Sequence, residues 1–376
     1  MNDMSDLFFE LIRVALGTQD RLSRPPTETE WEALFEMAVK QSLVGICFKG
    51  LDALGADSDD GFAKIGMGED LYFNWMGMAA QITMKNELVN RQCVELQAML
   101  SAVGLQSCIL KGQGVGAFYM VAHANGLNEE NDTVLSLYRQ SGDIDVWITG
   151  DFETKIKIAK RIASIEHFTY VDSAWRVFPD TEVELHIRPA SLRNLLANAR
   201  FQKWSEKFEP DSNQVLNGII VPPLEFNRVY LLLHCYRHAI GAGIGLRQLM
   251  DYYFCLRSER SSDEEMRRTV EVIDSLGLSK FAGAIMYVLQ YVFGLEEEYM
   301  ICEPLRRKGE YLLEQIVVGG NFGHYDDRFN GQKGFLRKLA KNMRYFKDYP
   351  GEILWAAPYK VYETLWVMTH KKFLQG

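Results

Sequence analysis

The sequence of 376 residues carries 41 Lys and Arg against 50 Asp and Glu, a formal net charge of −9, with 47% hydrophobic and 24% charged residues. That length calls for two or three substructures around an ample core, and the composition is that of an ordinary globular protein rather than a disordered chain. The negative balance argues against a broad surface that wraps long nucleic acid, so extended DNA binding is not expected.

Cysteine usage and the termini narrow the class further. The six cysteines, Cys47, Cys93, Cys108, Cys235, Cys255 and Cys302, lack paired spacing, so neither a zinc site nor a secreted disulfide framework is indicated. The opening Met-Asn-Asp-Met-Ser-Asp has no basic region, and no run of about eighteen apolar residues occurs. The expectation is a cytoplasmic protein with reduced thiols and no membrane span.

In chain order, residues 3–16 and 29–54 show apolar positions at helical spacing, separated by Ser23-Arg24-Pro25-Pro26. Trp31, Leu34, Phe35 and Ala38 share one face, and Thr27 or Thr29 is the candidate N-cap. Residues 71–103 read as one long helix or two in tandem. Their Met and aromatic positions read as core rather than cofactor contacts.

Gly104 ends that pattern, and Ser107 to Leu110 is an apolar run suited to a buried strand. Lys111-Gly112-Gln113-Gly114-Val115-Gly116-Ala117 follows at once. A glycine turn that opens a helix offers backbone N–H groups and a positive dipole end to an anion, so a triphosphate can rest there beside Lys111. Read as G-x-G-x-x-A, the same glycines match a dinucleotide fingerprint. The strand and acidic residue that such a site needs about twenty positions on are absent. Residues 123–133, rich in Asn and acidic residues, read instead as a loop.

Ser141-Gly142-Asp143-Ile144-Asp145-Val146-Trp147-Ile148 is a strand pattern carrying charge that a strand does not need. Alternation puts Asp143, Asp145 and Trp147 on one face and Ile144, Val146 and Ile148 on the other. Two carboxylates roughly 7 Å apart along a strand can converge on a hard cation, and magnesium is held by one or two carboxylates plus substrate phosphates. A solvated surface strand carries the same pattern, so the pair alone decides little. Asp151 caps a helix with Phe152, Ile156, Ala159 and Ile162 inward, and residues 168–171 and 174–178 read as a hairpin. Thr181 to Pro189 then alternates without a break: Glu182, Glu184, His186 and Arg188 face one way, Val183, Leu185 and Ile187 the other. Beside the Asp143 strand, Glu184 supplies a third carboxylate, and three carboxylates from two strands make a two-metal clamp.

These residues resemble the nucleotidyltransferase superfamily that includes DNA polymerase beta and kanamycin nucleotidyltransferase. More narrowly, Leu110-Lys111-Gly112, Arg139 with Gly142-Asp143-Ile144-Asp145, and Val183-Glu184-Leu185-His186 are similar to a bacterial family of uncharacterised nucleotidyltransferases. The motifs cover about the second quarter of the chain, and His234, His238, Arg247 and Asp251 match more loosely. The resemblance implies a magnesium- or manganese-dependent transferase in which Asp143, Asp145 and Glu184 are catalytic metal ligands. Lys111, Gly112, Gln113, Arg139 and Gly142 would bind the nucleoside triphosphate, and His186, His234, His238, Arg247 and Asp251 would serve the substrate region. The acceptor is an unidentified hydroxyl group on a small molecule, protein or RNA. The superfamily has Gly-Ser where this chain has Gly112-Gln113, which keeps open an inactive scaffold that binds nucleotide or a protein partner.

Beyond Pro189 the pattern reads as helical, over residues 192–208, 223–259, 262–276, 279–293 and 302–318. His234 and His238 stand at i, i+4, where a polar contact is the plainer account than a metal pair, and Arg247 and Asp251 repeat the spacing of a simple ion pair. Residues 321–327 read as a polar connection. Lys333, Arg337, Lys338, Lys341, Arg344 and Lys347 lie on a further helix as a solvated face or a contact for phosphate-bearing partners. The expected fold is α+β: a small mixed-sheet nucleotidyltransferase core at 106–190, with helices on one face, between helical regions at 1–105 and 191–376.

Overall fold

A computed structural model describes all residues except 1–2, 59, 125–134, 149, 209–212, 327, 329–343 and 372–376. The N-terminal region is helical, with α1 (Asp3–Ala15), α2 (Glu28–Gln41), α3 (Val44–Ala53), the single turn α4 (Gly61–Lys64) and the 34-residue α5 (Glu69–Ala102). Thr27 caps α2 through a reciprocal box: its hydroxyl accepts from Glu30 N, and Glu30 accepts from Thr27 N at 2.8 Å. The single helix expected over 29–54 is broken at Ser42, which turns left-handed at φ 56° and lets Leu43 N return to Ala38 O at 2.8 Å. The break frees the Gln41 side chain to bridge distant helices, donating to Ile316 O and accepting from Leu246 N.

Five strands form one sheet in the order β1-β2-β5-β4-β3: β1 (Ser107–Ile109), β2 (Ile144–Ile148), β3 (Ile165–Glu166), β4 (Asp172–Trp175) and β5 (Val183–His186). The β2–β5 pair is parallel and the other three are antiparallel, so the sheet is mixed as expected. The hairpin before β5 uses 165–166 and 172–175 as its arms, so Phe168 to Val171 belongs to the turn rather than to a strand. Between strands run α6 (Lys111–Ala124) and α7 (Phe152–Ile162), the latter capped by Asp151, whose carboxylate accepts from Thr154 N. His123 and Ala124 close α6, and the rest of the loop expected there lies outside the described residues.

Helices cover both faces of the sheet, not one. On the face of Val183, Trp175 donates its indole N–H to Ala159 O of α7. On the face of Asp145 and Glu184, Trp147 stacks on Phe226, which stacks in turn on Trp204. Those two rings come from α9 (Leu224–Ile240) and α8 (Leu195–Ser205). Between α8 and α9 a hairpin of β6 (Gln214–Leu216) and β7 (Ile219–Val221) turns on Asn217 and Gly218, both at positive φ, where an all-helical reading was expected.

The remaining helices are α10 (Leu246–Arg257), α11 (Asp263–Ser275), α12 (Ser279–Phe293), α13 (Arg306–Gly319), α14 (Pro350–Leu354) and α15 (Ala356–His370). The expected 223–259 helix divides into α9 and α10 at Gly241-Ala242-Gly243-Ile244-Gly245, with Gly243 at φ 125° pressed against Gly323. One buried apolar cluster runs through all three regions, from Leu7 and Trp31 through Ile144 and Leu185 to Leu289 and Ile316. No helix among the described residues is long and apolar enough to cross a membrane.

Candidate active site

The carboxylate strands build the floor of the site. The parallel register sets Asp145 opposite Glu184 and Trp147 opposite His186, so the three polar side chains emerge side by side on one face. Among the described residues, Asp145, Glu184 and His186 each offer one ligand atom within 4.8 Å of the others. Asp143 precedes β2, is partly exposed and lines the same cavity. That cavity, of about 490 Å³, is roofed by α9, α10, Phe322 and the C-terminal helices.

The Asp145 face was expected to be wet, yet Asp145 is 2% exposed. Its Oδ1 accepts from Lys111 Nζ at 2.9 Å and from His186 Nε2 at 2.8 Å. Burial pushes the Asp145 carboxyl up to about 6 against the pull of Lys111. Burial also opposes the charge on Lys111, but the attraction of Asp145 outweighs it and holds the ammonium above the usual lysine value. For His186 burial is likewise overcome, here by hydrogen bonds to Asp145 and Glu184, and its pKa rises to about 9. Both ring nitrogens of His186 face acceptors, Asp145 Oδ1 and Arg188 O, an arrangement that only the doubly protonated ring satisfies. Glu184 is drawn down to about 2, first by the His186 hydrogen bond. The carboxylates are therefore not a bare cluster under repulsion: two buried cations balance them.

The donor set fits a divalent ion. Asp145 and Glu184 offer carboxylate oxygens that lie, with a His186 ring nitrogen, within 4.8 Å of one another. His186 Nε2, protonated and 2.8 Å from Asp145 Oδ1 and 3.5 Å from Glu184 Oε2, has no lone pair for a metal and stands as their hydrogen-bond donor. Lys111 Nζ touches the same oxygens, at 2.9 Å from Asp145 and 3.9 Å from Glu184. The oxygens of Asp143, Asp145 and Glu184 suit magnesium or manganese, with His186 orienting Asp145 from behind.

The glycine turn presents Lys111 from a strained backbone, with φ 23° at Lys111 and 45° at Gly112. Gly112 and Gly142 line the cavity. Gln113 does not: its amide donates to Asn86 and Asn90 of α5, on the far side of the turn, so its side chain packs against α5. Arg139 lines the cavity, but its guanidinium is engaged by the protein. It is 4% exposed, and its Nε and Nη2 donate to Asp251 at 2.6 and 2.8 Å while Nη1 reaches Gln140 O. Asp251 thus pairs with Arg139 and Tyr119, not with Arg247 as the helical spacing suggested.

Arg247 is freed for the cavity. Its Nη1 donates to Gln140 O, its Nε has no partner, and burial lowers its pKa to about 10. His234 and His238 line the cavity with ring centroids 4.4 Å apart; burial depresses His234 well below its ordinary value and His238 to about 3, so both are neutral at pH 7. Arg344 turns inward to Gln315 and Asp326, and four of the other basic residues proposed for that face, Lys333, Arg337, Lys338 and Lys341, lie outside the described residues.

Tyr230, Ser191, Arg193, Arg237, Phe322, Glu352 and Tyr359 also line the cavity and were not foreseen. Arg237 was legible, since it sits between His234 and His238 in one helix. Arg193 and Glu352 carry no local signal, because their side chains reach the cavity only through tertiary packing.

A family model described as uncharacterised nucleotidyltransferase matches residues 27–294, well over half of the chain and the whole span from the cap of α2 to the end of α12. Neither a curated protein nor a solved structure gives a significant match.

Proposed function

The chain belongs to the uncharacterised nucleotidyltransferase family, and on that premise we propose that it moves a nucleoside monophosphate from a nucleoside triphosphate to a hydroxyl acceptor at the floor of this cavity. The observation that carries the reading is the parallel register of β2 and β5, which brings Asp145 and Glu184 together beside Asp143 under an enclosing roof. Asp143, Asp145 and Glu184 would hold Mg2+ or Mn2+. When bound, the ion supplies charge to offset the negative charge that grows on the attacking and leaving oxygens.

The remaining work falls to the chain. His186 fixes Asp145 through the 2.8 Å hydrogen bond and keeps its carboxylate aimed into the cavity. Lys111 sits where it can leave Asp145 for a phosphate oxygen, with the backbone N–H groups of the glycine turn and the unpaired Nε of Arg247 as further donors. Asp145, His186 and Arg139 are buried at the floor, so the donors next to them are held in place before substrate arrives. Pyrophosphate leaves as the acceptor oxygen takes the α-phosphorus.

The test uses α-labelled and γ-labelled nucleoside triphosphates with Mg2+ or Mn2+ and fractionated cell extract. Label transfer from the α position alone, abolished in Asp143→Asn, is expected. Transfer of the γ label, or equal transfer by the variant, contradicts the reading. A scaffold that retains the fold without the reaction would bind nucleotide and release no pyrophosphate.

A further inference from the structure

The cavity wall built by α9 and the C-terminal helices carries two guanidinium groups, those of Arg193 and Arg237, without hydrogen-bond partners among the described residues. Arg193 Nη1 is buried and makes no hydrogen bond. The Arg193 backbone, by contrast, is fixed: its N–H donates to Glu352 Oε1 at 3.0 Å, and the next N–H, of Asn194, meets the other carboxylate oxygen. Glu352 thereby engages both oxygens with backbone donors and forms no salt bridge with the guanidinium it positions. One turn of α9 places Arg237 between His234 and His238, and among the described residues the Arg237 side chain has neither a hydrogen bond nor an ion pair. Arg193 and Arg237 line the cavity together with Glu352 and with the hydroxyls of Ser191 and Tyr359, which are hydrogen-bonded to each other at 2.7 Å.

A buried charged donor without a partner is costly, and a wall that holds Arg193 Nη1 in that state beside the exposed, unpaired Arg237 is suited to an anion. The triphosphate does not need these two arginines: Lys111, the glycine turn and Arg247 lie on the side of Asp143. Resting on the nucleotidyl-transfer reading above, we infer that the acceptor is a small hydroxyl compound bearing a phosphate or carboxylate group, and that Arg193 and Arg237 bind that group. Anchoring the anion on this wall turns the neighbouring hydroxyl toward Asp145 and Glu184. The neutral His234 and His238 then serve as hydrogen-bonding walls between the two subsites.

The test is calorimetric titration of the full-length protein with inorganic phosphate and, separately, with acetate, before and after loading with Mn2+ and a non-hydrolysable nucleoside triphosphate. The loaded wild type is expected to bind one of the two anions. Arg237→Gln, at an exposed position that tolerates substitution, and Arg193→Gln should each weaken that binding about tenfold or more while nucleotide affinity stays within about twofold. Which anion binds distinguishes a phosphorylated acceptor from a carboxylated one. Anion binding equal in wild type and Arg237→Gln, or nucleotide affinity lost together with anion affinity, overturns the inference. A wild type that fails to bind Mn2+ and nucleotide refutes the transfer reading instead, and the titration of unloaded protein then decides the anion subsite alone.

Discussion

Asp145 separates the residues that make chemistry from those that make the fold less cleanly than its strand pattern implied. On a wet face, Asp145→Ala would have been harmless to stability. Buried between Lys111 and His186, it leaves those two cations with only the more distant, partly exposed Glu184 when removed, a broken buried pair of the kind that costs about 3 to 5 kcal/mol. Ile144→Ala costs a similar amount, about 2 to 5 kcal/mol, by the cavity it opens. Asp143 is the discriminating position, partly exposed and free of any ion pair among the described residues. Thermal melts should place Asp143→Ala near wild type and both other variants well below it; a severe loss in Asp143→Ala would contradict this assignment.

Lys155 offers a second residue-scale test. It is 7% exposed, its ammonium reaches only Ile187 O at 3.3 Å, and burial lowers its pKa to about 8. Between pH 8 and 10.5 the unfolded chain binds the proton that the folded chain has lost, so stability rises with pH across that window and the penalty is fully present below it. Lys155→Met should raise Tm at pH 7 by about 2 °C or more, with the gain shrinking toward pH 10.5. A gain independent of pH would assign it to packing instead.

At the scale of elements, the glycine turn at the start of α6 was read as a phosphate cradle, and its three glycines prove unequal. A Cβ on Gly114 would meet Ile109 O at 2.2 Å, whereas one on Gly116 meets nothing closer than Ser136 Cβ at 3.9 Å. Gly114→Ala should therefore push α6 off β1 and destabilise by about 1 to 3 kcal/mol. Gly116→Ala, in a helix with room, should be neutral or stabilise by about 0.5 to 1 kcal/mol. Denaturant melts of the pair check this, and equal effects would place the turn wrongly.

Because the signals are local, period-two alternation made β2 and β5 legible, the Asp151 cap could be read, and the cap of α2 was narrowed to Thr27 or Thr29, of which the structure uses Thr27. The Asn217-Gly218 hairpin was equally local and was passed over in favour of a helical background, although Val-Leu-Asn-Gly-Ile-Ile-Val carries the turn chemistry outright. The break at Ser42 was not legible: no glycine marks it, and it is held by Asn321, whose amide donates to Ser42 Oγ from 279 residues away. Motif position does not say which way a side chain turns, so the packing of Gln113 on α5 and the pairing of Arg139 with α10 were not legible in the sequence.

At the scale of the whole molecule, Arg139 joins two regions of the chain. Arg139 precedes β2 and Asp251 lies on α10, so their buried bidentate pair ties the sheet region to the C-terminal helices, with Tyr119 OH as a third member. Arg139→Met alone should cost about 3 to 5 kcal/mol by stranding Asp251, and adding Asp251→Leu should recover much of it, since a buried pair is replaceable by apolar packing. Urea unfolding of the single and double variants measures this, and additive losses would show that the pair is not coupled. The same tie keeps Arg247 and the roof of α9 and α10 in register over the carboxylates.

In the proposed reaction Asp143, with Asp145 and Glu184, makes this cavity a divalent-metal and nucleotide site. The most direct measurement is the melting temperature of wild type and Asp143→Asn with and without a nucleoside triphosphate plus Mg2+ or Mn2+. A ligand at a hundred times its Kd adds about 2.7 kcal/mol to the folded state. Equal melting of the two unliganded proteins is expected, with a clear upward shift for wild type only when metal and nucleotide are both present and no shift for the variant. No shift in wild type, or the same shift in Asp143→Asn, would contradict it.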